Sequence, residues 1–488
     1  MIVTCALLLS NAMSGIDNTI INTALPAIIS DLHGIELMGW IVAIFLLGTA
    51  ISTPLWSKLG EHTGNKQAYQ LAAIFFVVGS FLQGMSPNII FLIAARAIAG
   101  IGNGGLISLP YIIYANLYKN PRKRMQVLGF VSASYSMATI IGPLVGGYIV
   151  DAFSWHWVFY INVPIGLISA ILVQIYYKST KEVRKTSPVD YRGATLMTIG
   201  LISLLSAIEM IGTTSWSIIA PILIFAFICL TAMVYFESKA IDPIIPSRLF
   251  KNRSLLIDFT LFALIWGAFL GFLTYVPMWA QGILGTTALI GGATQIPSSF
   301  TNFMGSGSVA PLRKYFTPQK VITTGIITLT IAFILLLIMG VKTPYWILLV
   351  AGMFEGFGNG MCFNELQVKV QQDAAIDDIP VATSFSFLIR MLSQTFMASI
   401  FGIIMNRALY QGVLQSGGKI TMKMMNKLSD AANVSSLPSH LIPAMRVILH
   451  NGLQHIMLLA LILMLISLCV NIWGLHLEKQ KNISKSIL

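Results

Sequence analysis

Long apolar runs separated by short polar segments recur along the whole chain. A run of about 20 mostly apolar residues can cross the hydrocarbon core of a bilayer as an α-helix. Backbone groups inside hydrocarbon must be hydrogen-bonded within the segment, so runs of this length form helices. The pattern therefore predicts an all-α integral membrane protein with about fourteen transmembrane helices. The predicted spans are 3–28, 37–57, 67–86, 89–117, 126–150, 156–177, 193–213, 217–236, 254–280, 287–311, 321–341, 345–368, 380–405 and 447–474.

Composition supports lipid exposure of much of this surface. Of the 488 residues 56% are hydrophobic and only 10% are charged, whereas a soluble domain carries about 25% charged residues. So few charges cannot coat a soluble globule of this size, and we expect membrane lipids to cover it. The formal net charge of +12 does not indicate nucleic acid as a partner, because the basic residues fall in short loops on one side.

The distribution of lysine and arginine predicts the orientation of the chain. Of the 30 such residues, 22 fall in segments that are cytoplasmic if the N-terminus is cytoplasmic, six fall in the outer segments, and Arg96 and Arg390 lie within spans. This asymmetry predicts an even number of spans with both termini in the cytoplasm. The short lysine-rich loops are typical of a multi-pass protein of a cell membrane, and we expect a bacterial inner membrane.

Three segments add detail to this topology. The first apolar run begins almost at Met1 and lacks a small-residue cleavage site, so it is predicted to be a span rather than a signal peptide. The basic segment 178–192 separates the first six spans from the rest. In the long outer loop 406–446, the patterns around Ile420–Leu428 and Leu437–Leu449 predict short amphipathic helices on the outer surface.

Ionisable residues inside spans are costly and therefore indicate function. Asp17 is an acid in the middle of the first span, and Asn22 follows it on a stripe of polar side chains with helical spacing. A carboxyl group there could exchange a proton or attract a cation; the alternative is a structural hydrogen bond to a neighbouring helix. The deep ionisable residues are Asp17, Arg96, Glu355 and Arg390, and those nearer the span ends are Glu209, Asp258 and Glu365.

The other deep residues leave two interpretations open. Arg96 and Arg390 each need an acceptor and could either contact substrate or clamp neighbouring helices together. Glu355 is followed by three glycines at alternate positions, 356, 358 and 360, so neighbouring helices can approach closely there. Its carboxyl group could therefore contact substrate or protons, or could be structural.

Small residues form a face on the fifth span. Gly142, Gly146 and Gly147 allow close helix contact, and Pro143 removes a backbone donor, which favours bending. The face could serve ordinary packing, or it could form a pliable interface between two moving halves.

The motifs resemble one known family along essentially the whole chain. IDNTIINTALP (16–26) resembles the first-span signature of the fourteen-span drug:proton antiporter family of the major facilitator superfamily, and GPLVGG (142–147) resembles its fifth-span antiporter motif. SWHWVFYINVPIG (154–166) and RAIAGIGNGG (96–105) resemble the following stretch and the fourth-span arginine motif. SKLGEHTGNK (57–66) is similar to the loop motif between spans two and three, with Glu61 in place of its aspartate.

This resemblance implies a major-facilitator-type fold with two six-helix bundles and two inserted helices. The implied domains are 1–178 for the first bundle, 179–253 for a linker with the inserted helices, and 254–488 for the second bundle with its outer loop. It further implies alternating access around a central cavity and export of small lipophilic, often cationic, compounds in exchange for protons. We expect a monomer.

Other classes of function lack sequence support. An exporter of the same fold that carries a lipid or metabolite remains the nearest alternative. A membrane-embedded enzyme would need a catalytic motif such as H-E-x-x-H, a channel would need a filter-like segment, and ATP drive would need a phosphate-binding loop. The chain contains none of these motifs, so we expect no cofactor and no metal. The four cysteines, Cys5, Cys229, Cys362 and Cys469, have no metal-site spacing and are predicted to pack in the spans.

Overall fold

Helices account for the predicted spans. The computed structural model describes residues 2–118, 121–177, 191–211, 214–237, 239, 247–375, 379–428 and 434–487. Within these ranges, each predicted span coincides closely with one helix or with two consecutive helical segments, which confirms the all-α fold class. The helices are α1 Ile2–Leu32, α2 Met38–Thr63, α3 Asn65–Gly84, α4 Ile89–Leu117, α5 Pro121–Ala152, α6 His156–Tyr160, α7 Asn162–Tyr176, α8 Tyr191–Glu209, α9 Trp216–Glu237, α10 Arg253–Met278, α11 Ala288–Ala293, α12 Gln295–Leu312, α13 Pro318–Ile338, α14 Trp346–Asp373, α15 Ile379–Gln415, α16 Met422–Leu428 and α17 Ile442–Ile487.

Hydropathy differs among these helices. In the part of the chain that the structure describes, nine helices are long and apolar enough to cross a membrane. Other predicted spans, such as α1 and α12, carry several hydroxyl and amide side chains, which interrupt their apolar runs. Polar side chains in a span need protein partners rather than lipid. The polar faces of these helices therefore have to pack against other helices.

Two predicted spans are not single helices, and a third ends irregularly. The segment 156–177 is divided into α6 and α7 at Ile161, and 287–311 is divided into α11 and α12 at Thr294. Helix α10 continues beyond Pro277 as a π-helical turn, Trp279–Ile283. Proline lacks the amide hydrogen needed for the regular helical ladder, so the backbone changes its hydrogen-bond pattern near this position.

The helices pack in two sets. Helices α1–α7 pack mainly against one another, and so do α10–α17 except for α11, which packs mainly against α5. Helices α8 and α9 pack against each other, and α8 also contacts α2 and α15. The two sets meet through α2 with α15, α5 with α11, and α1 with α10. The molecule therefore has a seam between the two sets, and the polar residues of α1 lie close to it.

Helices α1, α5, α10 and α15 finish at one end of the molecule, which we call the distal end, and α16 lies against this end. Helix α16 confirms the short helix predicted around 420–428, and it packs against α1, α15 and α17 with Met425 and Leu428 buried. The prediction of a second short helix at 437–449 is wrong. Helix α17 begins at Ile442, so most of that apolar pattern belongs to the first turns of the last long helix.

Glycines bring α14 into close contact with two neighbours. A Cβ atom on Gly356 or Gly360 would overlap backbone carbonyl groups of α12, and one on Gly358 would lie 2.6 Å from the carbonyl oxygen of Gly325 in α13. Helix backbones approach this closely only where side chains are absent. The close approach predicted from the glycines after Glu355 is thus confirmed.

Candidate functional site

Asp17 is buried at the middle of α1. Its side chain is 1% exposed, and its Oδ1 atom accepts a 2.6 Å hydrogen bond from Asn162 in α7. The Oδ2 atom has no hydrogen-bond partner among the described residues. The guanidinium group of Arg96 is close enough to interact electrostatically with the carboxyl group. The site therefore holds a carboxyl group that has one oxygen atom available for a proton.

Arg96 holds three helices together. Its Nε atom donates to the carbonyl oxygen of Ile41 at 2.5 Å, and Nη1 donates to Oε1 of Gln83 at 3.1 Å. The guanidinium lies over the ring of Phe45 at 4.5 Å. These contacts join α4 to α2 and α3, as the clamp interpretation predicts. Since Asp17 is within electrostatic reach, the same residue can also respond to a change in the charge of that acid.

The polar stripe of α1 reaches the seam. Asn22 is buried, and its Oδ1 atom accepts a 3.0 Å hydrogen bond from the hydroxyl of Thr274 in α10. One residue later, the carbonyl oxygen of Thr23 accepts from Gln281 at 3.3 Å. The stripe thus has two functions in the structure: Asp17 contacts its own set of helices, whereas Asn22 and Thr23 bind the other set.

Glu355 lies in the second set of helices. It is fully buried in α14, and its Oε2 atom accepts a 2.5 Å hydrogen bond from the hydroxyl of Ser298 in α12. Its Oε1 atom has no hydrogen-bond partner within the described ranges. Glu355 therefore resembles Asp17 in having a buried carboxyl group with one partnered oxygen atom.

Arg390 lies among aromatic rings of the second set. Its guanidinium carbon is 4.7 Å from the ring centroid of Phe387, 5.2 Å from that of Phe363 and 5.8 Å from that of Trp266. The contacts given above do not bring the five predicted site residues into one cluster. Asp17 and Arg96 form one group, Asn22 joins the two sets, and Glu355 and Arg390 have separate partners in the second set.

The glycine face of α5 divides between two neighbours. Gly142 and Gly146 face α1, where added Cβ atoms would press on Thr19 and Ile20. Gly147 faces the other set, because a Cβ atom there would overlap the backbone of Leu289 in α11. The carbonyl group of Pro143 likewise packs against Gly292 of α11. Only part of the predicted face therefore lies at the seam.

An acid that the sequence analysis did not single out also joins α5 to α11. The carboxylate of Asp151, at the end of α5, accepts hydrogen bonds from the backbone amides of Ala288 at 3.1 Å and Leu289 at 2.9 Å. Its position one turn after Gly147 is the only signal in the sequence. Glu61 lies in α2, but its side chain and that of Glu209 lie outside the part that the structure describes.

A second feature that sequence reasoning missed is a buried ion cluster. Lys369 was predicted to follow the twelfth span, but α14 continues to Asp373. The ammonium group of Lys369 is 2.9 Å from Oδ1 of Asp258 and 2.6 Å from Oδ2 of Asp373. Nearby, Nε of Arg313 is 3.4 Å from Oε1 of Glu365. The i,i+4 spacing of Lys369 and Asp373 could have suggested the pair; the contact with Asp258 could not be foreseen.

We expect Lys369→Met to destabilise the protein. Removing the ammonium group leaves the buried Asp258 without its counter-charge, and breaking a buried pair in this way costs about 3–5 kcal/mol. Thermal unfolding of the purified protein in detergent measures the effect as a lower midpoint. The exposed Lys320 provides the matched control, Lys320→Met, which should unfold like the parent. Equal midpoints for the two variants would show that the cluster contributes little to stability.

These features define a polytopic helical membrane protein with ionisable residues buried inside its spans and two sets of helices that meet along a seam. The chain belongs to the Major Facilitator Superfamily, because the sequence model of that family matches residues 7–398. This is a family of transporters rather than a class of enzymes.

Individual relatives agree with this assignment. Multidrug resistance protein 3 of Bacillus subtilis is 30% identical over 475 residues, which cover 94% of this chain and 92% of that protein. The multidrug transporter protein MdtP of the same organism is 31% identical over 449 residues, or 89% of this chain and 80% of that protein. Among solved structures, a bacterial homologue of the human lysosomal transporter Spinster, inward-facing and unoccupied, superposes with a TM-score of 0.68 at 14% identity, covering 97% of this chain and 96% of that one. This last similarity shows the fold alone.

Proposed function

We propose that this protein is a proton-coupled multidrug efflux transporter that exports lipophilic, often cationic, compounds by alternating access. The observation that carries the proposal is the buried carboxyl group of Asp17, with one oxygen atom unpartnered among the described residues, in a superfamily member whose relatives bear the names of multidrug transporters. Asp17 would carry the proton, with Glu355 as a second candidate. Arg96, Asn22 and Arg390 would contact substrate or transmit the change in charge.

The proposal includes the finer topology. The chain would be a fourteen-span drug:proton antiporter, with six-helix bundles in 1–178 and 254–488 and two inserted helices in 179–253. It would lie in a bacterial cell membrane as a monomer with both termini in the cytoplasm, without enzymatic activity. The distal end would then be the outer side. Because α5 contacts α11 there and Asn22 binds Thr274, the structure would be closed to the outside.

Gradient-driven transport in inverted membrane vesicles tests the function. Vesicles that contain the protein should accumulate ethidium when the interior is acidified, and a protonophore should abolish the accumulation. Vesicles that lack the protein supply the control. Accumulation that persists without a proton gradient would exclude proton coupling, and no accumulation of any cationic or neutral dye in a panel would exclude multidrug transport.

The same vesicles distinguish the nearest alternative. An exporter of a single lipid or metabolite would transport its own substrate in competition with few dyes, whereas a multidrug exporter should show mutual competition among chemically different cations. Competition measured under a proton gradient is informative because simple binding of lipophilic dyes to a membrane protein occurs with or without transport.

The topology makes a separate prediction. A single cysteine at Ser439, which is exposed beside α17, should react with a membrane-impermeant thiol reagent added to intact cells, once the native cysteines are replaced. The charge asymmetry predicts that this residue lies outside. A cysteine at Lys320, at the opposite end, provides the control and should react only after lysis. The reverse pattern of labelling would invert the predicted orientation.

A further inference from the structure

Three aromatic rings surround the guanidinium group of Arg390, and we call them the aromatic cage. Trp266 comes from α10, Phe363 from α14 and Phe387 from α15, one turn before Arg390 itself. All three ring centroids lie within 5.8 Å of the guanidinium carbon. The rings also contact one another edge to face. The ring centroids of Trp266 and Phe363 are 5.6 Å apart, and those of Phe363 and Phe387 are 6.4 Å apart. The cage is therefore a continuous aromatic wall built from three helices.

The chemistry of such a wall attracts cations. The face of an aromatic ring carries negative electrostatic potential, and several rings together recognise organic cations, including those without a hydrogen atom to donate. A guanidinium group is planar, delocalised and weakly hydrated. It therefore resembles a flat aromatic cation more closely than a lysine ammonium group does. The protein uses this wall to hold one of its own cations.

The cage is closed on one side and accessible on the other. Trp266 is 4% exposed, whereas Phe387 is 39% exposed and Arg390 is partly exposed. A ligand could therefore reach the rings from the side of Phe387, while Trp266 forms the floor. The unbranched arginine side chain has several rotatable bonds, so its head group can leave the rings while the backbone of α15 stays in place.

We propose that the aromatic cage is the subsite for the positively charged group of a substrate and that Arg390 occupies it when no substrate is bound. This proposal rests on the proposed function, of which it specifies the substrate class: delocalised organic cations. Arg390 then acts as an intramolecular competitor. The apparent affinity for a cation is lowered by the fraction of protein in which the arginine fills the cage, and the returning arginine helps to release the substrate.

Equilibrium binding of ethidium to the purified full-length protein in detergent tests the proposal. Arg390→Met removes the competing charge and keeps an unbranched apolar side chain, so the dissociation constant should fall by about threefold to thirtyfold, the range that corresponds to one cation–π contact. In the Arg390→Met background, where no arginine competes, Phe363→Leu removes one wall of the cage and should raise the dissociation constant by about the same factor relative to Arg390→Met alone. Phe385→Leu is the matched control, because Phe385 lies on α15, the helix that carries Phe387 and Arg390, but packs against Phe250 and Phe259.

Each outcome decides the proposal. Unchanged or weaker ethidium binding by Arg390→Met would overturn it, and so would equal binding by Arg390→Met with and without Phe363→Leu. The uncharged dye N-phenyl-1-naphthylamine should bind Arg390→Met and the parent alike; equal tightening for both dyes would show that the cage selects apolar surface rather than charge. If Arg390→Met does not fold, Arg390→Gln takes its place, alone and combined with Phe363→Leu, because glutamine also removes the competing charge; it must tighten ethidium binding, and Phe363→Leu in that background must weaken it.

The binding assay uses no proton gradient, so failure of the cage and failure of the proposed function give different results. A protein that binds ethidium as described but fails to accumulate it in vesicles would retain the cage and refute the antiporter. A protein that accumulates ethidium under a gradient, but whose ethidium binding does not respond to Arg390→Met or to Phe363→Leu in that background, would retain the antiporter and refute the cage.

Discussion

Asp17→Asn should reduce gradient-driven accumulation of substrate to the level of vesicles without a gradient. Asparagine is nearly isosteric with aspartate, and its amide oxygen can still accept the hydrogen bond that Asn162 donates to Oδ1. The asparagine side chain, however, cannot bind and release a proton as the carboxyl group can. Because the packing around the residue is retained, the variant should insert and purify like the parent, and only coupling to the gradient should fail.

Substrate exchange gives this experiment its sharpest control. Exchange of labelled for unlabelled ethidium across the membrane needs the conformational cycle but no net proton movement, so Asp17→Asn should retain it. Glu36→Gln, which neutralises an exposed acid near the distal end, should leave both activities unchanged. Full gradient-driven accumulation by Asp17→Asn would assign proton transport to another group, and Glu355, with its unpartnered Oε1 atom among the described residues, would be tested next.

Gly147→Leu should prevent closure of the distal end. A leucine side chain there would collide with the backbone of Leu289 in α11, which cannot rotate away as a side chain can. Overpacking of this kind costs about 1–3 kcal/mol, which corresponds to a shift of about 5–150-fold between two conformations. The state seen in the structure should therefore become rare, and transport should fall because the cycle requires both states.

Accessibility measures this shift directly. The hydroxyl of Thr274 lies at the seam, where it binds Asn22, and a cysteine at this position should react faster with an impermeant reagent from outside in the Gly147→Leu background. Gly146→Leu is the neighbouring control: its side chain would press on Ile20 of α1, within the same set of helices. Gly146→Leu should lower the stability of the protein more than it changes the labelling rate of the cysteine that replaces Thr274. Equal labelling in the two backgrounds would contradict the role assigned to Gly147.

The contrast between Gly146 and Gly147 shows where sequence reasoning reaches its limit. The glycine motif and its helix were predicted, with Gly142, Gly146 and Gly147 on one face, although the one-turn spacing joins only Gly142 with Gly146. That spacing describes a single helix, however, and does not say which neighbour the face meets. Only the tertiary arrangement shows that the shared face meets α1 and that Gly147 meets α11.

The same limit applies to the polar site. The cost of burying charge was enough to select Asp17, Glu355 and Arg390 from the sequence. Their partners were not predictable, because Asn162 is 145 residues from Asp17 and Ser298 is 57 residues from Glu355. The predicted end of the twelfth span was too early, because a lysine such as Lys369 usually marks the end of a span. Here Asp258 and Asp373 neutralise Lys369 inside the helix bundle, so the helix continues past it.

Helix α8 touches both α2 and α15, one from each set of packed helices. When the two sets rock against each other, α8 cannot keep both contacts unchanged, so it must tilt or slide with its partner α9. That pair presents large apolar side chains outward, among them Phe227 and Ile228. Each turnover would therefore rearrange the surrounding acyl chains, so that the thickness and lateral tension of the bilayer contribute to the barrier of the transport cycle.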